Sequence, residues 1–237
     1  MAAKQQTKIW VIVPAAGSGQ RMGSEIPKQY LKIENRCILE ITLKALLGEQ
    51  RLTAILVCTI ADDKIWPTLG ISKNLKISRC DGGSSRAHSV MNGLLSLSDK
   101  AADNDWVLVH DAARPCISPE QISNLIEQLE HDSVGGILAV PAKDTLKVAS
   151  SGTNIIEMTF DRSNVWCAQT PQMFRFSVLK KSLAVAIENG LEITDEASAV
   201  EHAGYQVRLV KGDSNNLKIT TQADLLLAQK LLSETSA

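Results

Sequence analysis

Six short runs of mostly apolar residues, many of them β-branched, recur along the chain with helical stretches between them, and no other property restricts its fold so sharply. They span residues 9–13, 54–59, 75–78, 106–110, 136–140 and 207–210. The runs are continuous and not alternating, the pattern of strands covered on both faces of a parallel sheet. Helices are expected at 38–47, 86–97, 119–130, 177–189 and 221–232. This βαβα rhythm predicts an α/β fold, a doubly wound three-layer arrangement around a mostly parallel, twisted sheet. Residues 144–160 break the rhythm: two β-type pieces flank Ser150-Ser-Gly-Thr-Asn154, which predicts a protruding hairpin arm at about 142–162, suited to packing on another subunit. The 237 residues contain no repeat, low-complexity tract or linker, so a single domain, 1–237, is expected.

Ligands of open α/β sheets bind beyond the carboxyl ends of the strands, so those ends are where chemistry should be sought. The first run ends in Pro14-Ala-Ala-Gly-Ser-Gly-Gln-Arg-Met-Gly23, with Pro27-Lys-Gln29 just after it. Ala15, Ala16, Gly17 and Gly19 let backbone N–H groups approach a bulky anion closely, and glycine tolerates the dihedrals that aim several of them at one point. A Walker loop is excluded, because no Lys-Ser/Thr follows the last glycine, and a dinucleotide fingerprint fits poorly with Met22 at its third glycine. An ordinary strand-to-helix turn would account for the glycines alone. It gives no reason for Arg21 and Lys28 to sit beside bare backbone donors, and the two cations point to a nucleotide triphosphate.

The other strand ends carry small, polar or charged residues as well: Asp81-Gly-Gly-Ser-Ser-Arg86, His110-Asp-Ala-Ala-Arg-Pro115 and Pro141-Ala-Lys-Asp-Thr145. Gly82 to Ser85 lead into a helix, as either a plain cap or a set of donors for a base edge or an anion. Asp111 suits Mg²⁺ shared with phosphate oxygens, or else a turn. Arg162 and Lys218 read by position as surface cations. Thr194-Asp-Glu-Ala197 opens a helix with a capping threonine and two acids in its first turn, and capping alone accounts for it. The four histidines have no metal-ligand spacing, which argues against zinc, and His88 belongs on the polar face of its helix. Neither a G-x-S-x-G motif nor a Cys/His arrangement suggests covalent catalysis.

With 25 basic and 26 acidic residues, the chain has no cationic surplus to attract nucleic acid, so phosphate chemistry must come from a local site. Its five cysteines lack C-x-x-C spacing, with Cys58 and Cys80 expected as reduced, partly buried thiols. No apolar signal core opens the sequence and no apolar run could span a bilayer. A cytoplasmic protein without a membrane partner is therefore expected.

Taken in order, Pro14-Ala-Ala-Gly-x-Gly-x-Arg-Met, Pro27-Lys-Gln-Tyr, Asp81-Gly-Gly-x-x-Arg-x-x-Ser-Val, Val109-His-Asp-Ala-Ala-Arg-Pro, Asp144-Thr-x-Lys, Asp161-Arg, Gln169-Thr-Pro-Gln, Thr194-Asp-Glu-Ala-Ser and Asn216-Leu-Lys-Ile-Thr resemble the 2-C-methyl-D-erythritol 4-phosphate cytidylyltransferase family. The resemblance runs from about Ile9 to Asp224. It implies a Rossmann-like nucleotidyltransferase fold, a bacterial cytoplasmic homodimer joined through the hairpin arm, and CTP and methylerythritol phosphate as substrates. It also implies Mg²⁺, with other divalent cations as substitutes. Carried over by position, Arg21 and Lys28 stabilise charge on the triphosphate, while Arg162 and Lys218 position the acceptor phosphate with Thr145 beside them. The resemblance assigns Ala15, Ala16, Gly17, Gly19, Gly83, Ser84, Ser89, Ala112, Arg114, Thr170 and Thr194 to substrate binding and Asp111 to the metal. Asn215 stands where the family often has an acid, so a second metal carboxylate would have to come from Asp213. Ser84 replaces an aspartate of some relatives.

These residue types suit the reaction. A phosphomonoester has its second pKa near 6, so at neutral pH the nucleophilic oxygen is already anionic and needs no general base. The obstacle is repulsion between two phosphates, which cations placed in advance remove. Two other readings of the same residues are a cytidylyltransferase for another polyol phosphate, such as ribitol 5-phosphate, and a CTP-binding regulator without catalysis.

Overall fold

The computed structural model describes residues 7–17 and 26–235. From the N-terminus, β1 (Ile9–Pro14) leads to a small hairpin of β2 (Lys32–Ile33) and β3 (Arg36–Cys37), then α1 (Ile38–Leu47), β4 (Ala54–Thr59) and β5 (Ile77–Asp81). Next come α2 (Arg86–Ser96), β6 (Trp106–Val109), α3 (Pro119–Leu129), β7 (Gly135–Pro141) and the pair β8 (Leu146–Ala149) and β9 (Ile156–Phe160). The chain continues through β10 (Trp166–Arg175), α4 (Phe176–Glu188), α5 (Glu196–His202), β11 (Arg208–Lys211) and α6 (Gln222–Thr235). Seven strands form one sheet in the order β11-β7-β10-β6-β1-β4-β5. All its pairings are parallel except those of β10 with β6 and β7.

The continuous apolar runs are explained by cover on both sides. Val11 and Val13 of β1 face a core built with Leu39, Leu43 and Leu46 of α1 and Ile122, Leu125 and Leu129 of α3. The intervening Trp10 and Ile12 face a second core with Val90 and Leu94 of α2 and Leu179 and Leu183 of α4. Strand side chains alternate between faces, so a buried central strand must be apolar at every position. Cys58 and Cys80 occupy paired positions on β4 and β5, with their sulfurs 3.3 Å apart. Cys58 is fully buried and Cys80 half-buried.

Several elements differ from the sequence reading, the small β2–β3 hairpin among them. β5 begins at Ile77, not residue 75, because Asn74 makes a turn whose side chain and carbonyl hold the N–H groups of Lys76 and Ile77, leaving Leu75 fully exposed. β10 was not anticipated, since Gln169-Thr-Pro-Gln172 interrupts its apolar pattern. The register of β10 against β7 shifts between Ala168 and Gln172, and Pro171 sits within that irregularity, where a residue without an N–H is tolerated.

The expected hairpin is present: β8 and β9 pair antiparallel as a separate two-stranded ribbon. Its register sets Leu146 opposite Phe160 and Val148 opposite Met158, so one face of the ribbon is apolar. Met158 and Phe160 are 48 % and 47 % exposed, and Ile155 at the tip 69 %.

Candidate active site

The crevice lies where the sheet order reverses, beyond the carboxyl ends of β1, β5 and β6. Its cavity of about 440 Å³ is lined by Ala15, Ala16, Gly17, Lys28, Gln29, Gly83, Ser84, Ser85, Arg86, Ser89, Asp111, Ala112, Ala113, Lys218 and Thr220, together with Pro14. Four segments far apart in sequence therefore meet at one place. Among the expected residues, Ala15, Ala16, Gly17, Lys28, Gly83, Ser84, Ser89, Asp111, Ala112 and Lys218 all contribute. Gly19 and Arg21 lie outside the described residues.

Local hydrogen bonds shape each wall. The Ala15 N–H donates to the Cys58 carbonyl at 2.8 Å, continuing the β1–β4 ladder past the end of the strand. Gln29, almost fully buried, donates through Nε2 to the carbonyls of Ala15 (2.6 Å) and Gly17 (3.2 Å). In a trans peptide the following N–H points away from its carbonyl, so the tie to the Ala15 carbonyl turns the Ala16 amide away from Gln29. Gln29 and Tyr30, whose hydroxyl donates to Asp63 Oδ2 at 2.5 Å, are both buried within the single 3₁₀ turn Lys28–Tyr30, and this anchors Lys28 at the cavity wall. The motif Pro27-Lys-Gln-Tyr marks the position of Gln29, but the bracing role of its side chain is not legible in the sequence, which does not say where that side chain points.

On the opposite wall Ser85 caps α2, its Oγ accepting from the His88 N–H at 3.2 Å. The Ser89 hydroxyl accepts from the Gly83 N–H (3.0 Å) and donates to the Ser85 carbonyl (2.9 Å), so it holds the loop in shape while lining the cavity. Gly82 lies between these walls: a Cβ there would sit 2.4 Å from the Ala16 Cβ and 3.2 Å from the Thr59 carbonyl oxygen. Gly82→Ala is therefore expected to push the two loops apart, lowering affinity for the expected nucleotide about tenfold and stability by about 1–3 kcal/mol. Unchanged nucleotide affinity by calorimetry would show that this close approach does not matter.

Asp111 is the electrostatic centre of the floor. Its Oδ1 accepts from Arg86 Nε at 3.0 Å, its Oδ2 pairs with Lys218 Nζ at 2.8 Å, and Arg114 Nε lies 3.6 Å from Oδ2. Burial would raise the carboxyl pKa, but Arg86, Lys218 and Arg114 outweigh it and hold the group well below the usual carboxylate range. Arg86 in turn makes a bidentate pair with Glu196, Nη1 to Oε1 at 2.6 Å and Nη2 to Oε2 at 2.9 Å. Glu196 is completely buried, which corrects its reading as an acid that merely favours a helix N-terminus. The cap of α5 is Asp195, whose carboxylate accepts from the Ser198 N–H at 2.9 Å, and not Thr194.

Five expected site residues do not line this cavity. Thr194 is exposed just before α5. Arg114 is buried, donating through Nη1 to the Asn216 carbonyl at 2.6 Å, and so braces the segment that carries Lys218. The Thr170 hydroxyl accepts from the Asp111 N–H and pairs with His110 Nδ1, both at 3.0 Å, fixing Asp111 from behind. Thr145 and Arg162 are exposed at the foot of the hairpin arm. Asp213 and Asn215 line a different groove beside α6, and Asp213 Oδ1 accepts from the Asn215 N–H at 2.8 Å, so neither adds a carboxylate to Asp111.

His110 is fully buried between Thr170 and the Arg114 carbonyl, and burial pushes its pKa down to about 4 despite the neighbouring Asp111. The unfolded chain takes up this proton near pH 6.5, whereas the folded chain refuses it until about pH 4. Stability is thus present above pH 6.5 and lost as the pH falls toward 4. Between pH 7 and pH 4.5 this group is expected to cost about 2–3 kcal/mol, measured by denaturant unfolding without divalent cations. A His110→Gln variant with the same pH slope as the parent chain would refute the assignment.

Residues 9–234 match the protein family described as IspD: 2-C-methyl-D-erythritol 4-phosphate cytidylyltransferase. The chain is similar to the 2-C-methyl-D-erythritol 4-phosphate cytidylyltransferase of Pseudomonas aeruginosa, with 48 % identity over 231 residues, 97 % of this chain and 98 % of the relative. Among solved structures it resembles the enzyme of that name from Francisella tularensis, at 39 % identity and a TM-score of 0.83 over 95 % of this chain and 100 % of the other. The enzyme of that name from Thermus thermophilus is similar at 31 % identity with a TM-score of 0.78, over 95 % and 99 % of the two chains.

Proposed function

Because the chain belongs to the 2-C-methyl-D-erythritol 4-phosphate cytidylyltransferase family, we propose that the crevice at the ends of β1, β5 and β6 is where it carries out the family's reaction. The chain transfers the cytidylyl group of CTP to 2-C-methyl-D-erythritol 4-phosphate, giving 4-(cytidine 5'-diphospho)-2-C-methyl-D-erythritol and pyrophosphate, in the non-mevalonate route to isoprenoid precursors. A phosphate oxygen of the acceptor forms a bond to the α-phosphorus of CTP as the bond from that phosphorus to pyrophosphate breaks. The observation that carries the site assignment is the convergence of Lys28, Arg86, Lys218 and Asp111 on one cavity, beside the small residues Ala15, Ala16, Gly17, Gly83 and Ala112.

In this reading the loop of Ala15, Ala16 and Gly17 takes the triphosphate, and Lys28, with Arg21, offsets the charge that grows on the departing pyrophosphate. Gly83, Ser84 and Ala112 border the nucleoside. The acceptor phosphate falls to Lys218 and Arg162, and holding it in line for attack is worth several kcal/mol, about 7 for a well-oriented pair. The donor set on the cavity floor fits Mg²⁺: Asp111 offers an ionised carboxylate with oxygen lone pairs beyond those used by Arg86 and Lys218, and magnesium takes one or two carboxylates together with phosphate oxygens. Bound there, the ion would neutralise charge on the triphosphate oxygens.

The arm supports a homodimer. An isolated two-stranded ribbon is marginal in water, and the apolar face formed by Leu146, Val148, Met158 and Phe160 needs cover. A second copy of the chain is the occupant we assign to it. Docking of the arm there would deliver Arg162 and Thr145 to the neighbour's cavity. Among the described residues no helix is long and apolar enough to cross a membrane.

The test is a comparison of acceptors with CTP and Mg²⁺ by pyrophosphate release. Higher kcat/KM with methylerythritol phosphate than with ribitol 5-phosphate is expected. The reverse order would reassign the acceptor, and CTP binding without turnover on either would make the chain a regulator.

A further inference from the structure

The ion pair between Arg86 and Glu196 has no counterpart in the chemistry above, although Arg86 borders the cavity and Glu196 is completely buried. Burying a carboxylate is costly unless it is paired, and a hydrophobic residue would fill the same space more cheaply. Glu196 is not needed as a helix cap either, since Asp195 fills that role. Both of its oxygens are committed to the terminal nitrogens of Arg86. A guanidinium held by its fork has a fixed plane, so its Nε can point in only one direction. That direction is Asp111 Oδ1, at 3.0 Å.

We propose that Arg86 and Glu196 are positioning residues for the acceptor phosphate, acting through Asp111 on Lys218. With Oδ1 pinned by Arg86, the Asp111 carboxylate presents only Oδ2 to Lys218 Nζ, at 2.8 Å. Lys218 is then held by one oxygen at the cavity edge, 37 % exposed, and its remaining protons can reach an anion. Without the pin the carboxylate could turn both oxygens toward Lys218 and draw its ammonium inward. The relay joins the start of α5, the start of α2, the end of β6 and the segment before α6. It rests on the reading of Lys218 as the acceptor cation.

Breaking one partner of a buried pair would confuse stability with function, but replacing both with apolar residues of similar volume is often neutral or stabilising. The experiment is therefore the double variant Arg86→Met/Glu196→Leu, made in the full chain and again in Lys218→Ala. A melting temperature near that of the parent chain and CTP affinity within about threefold are expected, with acceptor kcat/KM lowered at least about tenfold. In Lys218→Ala the same pair of changes is expected to cost less than about threefold, because a group that acts through Lys218 has nothing left to position. A folded double variant that uses the acceptor normally overturns the proposal, as does the full additional loss in Lys218→Ala. Should the double variant not fold, Glu196→Gln keeps the volume and removes the charge. An acceptor-specific loss there supports the relay, and normal acceptor use or an equal loss of CTP affinity overturns it. Lys218→Ala alone reports on the underlying reading: unchanged acceptor use would overturn both, whereas a loss without coupling overturns the relay only.

Discussion

Lys28→Ala is expected to lower kcat by about 10²–10³-fold, the usual consequence of removing one preorganised charge from the place where negative charge develops. The KM for methylerythritol phosphate should change little, because Lys28 lies on the wall assigned to the triphosphate. An interaction made only in the transition state shows itself in this way, through kcat and kcat/KM falling together. The fold should not suffer, since Lys28 sits in a single 3₁₀ turn whose anchors are the buried Gln29 and Tyr30. Steady-state kinetics with a thermal melt decides the matter. A fall in kcat below about threefold, or a loss confined to acceptor KM, would remove Lys28 from the triphosphate side.

Arg162→Ala is expected to raise acceptor KM and lower kcat together, by about 10²-fold in kcat/KM, while CTP affinity stays close to that of the parent chain. Its most informative form is a mixture. If the arm of one copy completes the neighbour's cavity, a hybrid dimer of Lys28→Ala and Arg162→Ala subunits collects both lesions in one cavity and leaves the other intact. Random reassortment makes half the dimers hybrids, so the mixture should recover about a quarter of the parent activity from two nearly dead proteins. No recovery after verified subunit exchange would mean that each chain's Arg162 serves its own cavity, or none. If the arm joins two copies of the chain, Met158→Glu or Phe160→Glu should yield monomers and abolish activity at low protein concentration, because each places a charge on the apolar face of the arm.

Much of this architecture was legible in the residue pattern, and the exceptions have identifiable causes. The bounds of β4 and α1 follow from the apolar run 54–59 and from the amphipathic stretch 38–47. β10 was hidden because its centre is polar, and those polar groups have partners that belong to distant segments: Thr170 with Asp111 and His110, and Gln172 with Asp195 at 2.8 Å. Thr194, Thr170 and Arg114 all lie in recognisable motifs, yet a motif marks a neighbourhood and does not say which side chain turns toward the cavity. Glu196 shows the same limit from the other side. An acid at the start of a helix has an adequate local explanation, and only the direct pairing with Arg86 from a distant helix shows that the local explanation is insufficient.

The sequence alone determined six of the seven strands of the main sheet, its helical layers, the arm and the strand ends at which chemistry had to be sought, because burial imposes hydrophobic periodicity on covered residues. It also determined the family, because ordered motifs over nearly the whole chain leave little freedom. Only the tertiary structure decided which of the marked residues share a cavity, that Arg162 and Thr145 stand apart from it, and that Asp111 is gripped by Arg86 and Lys218. Electrostatic and hydrogen-bond partners are set by direction and distance through space, and the linear order of residues does not encode them.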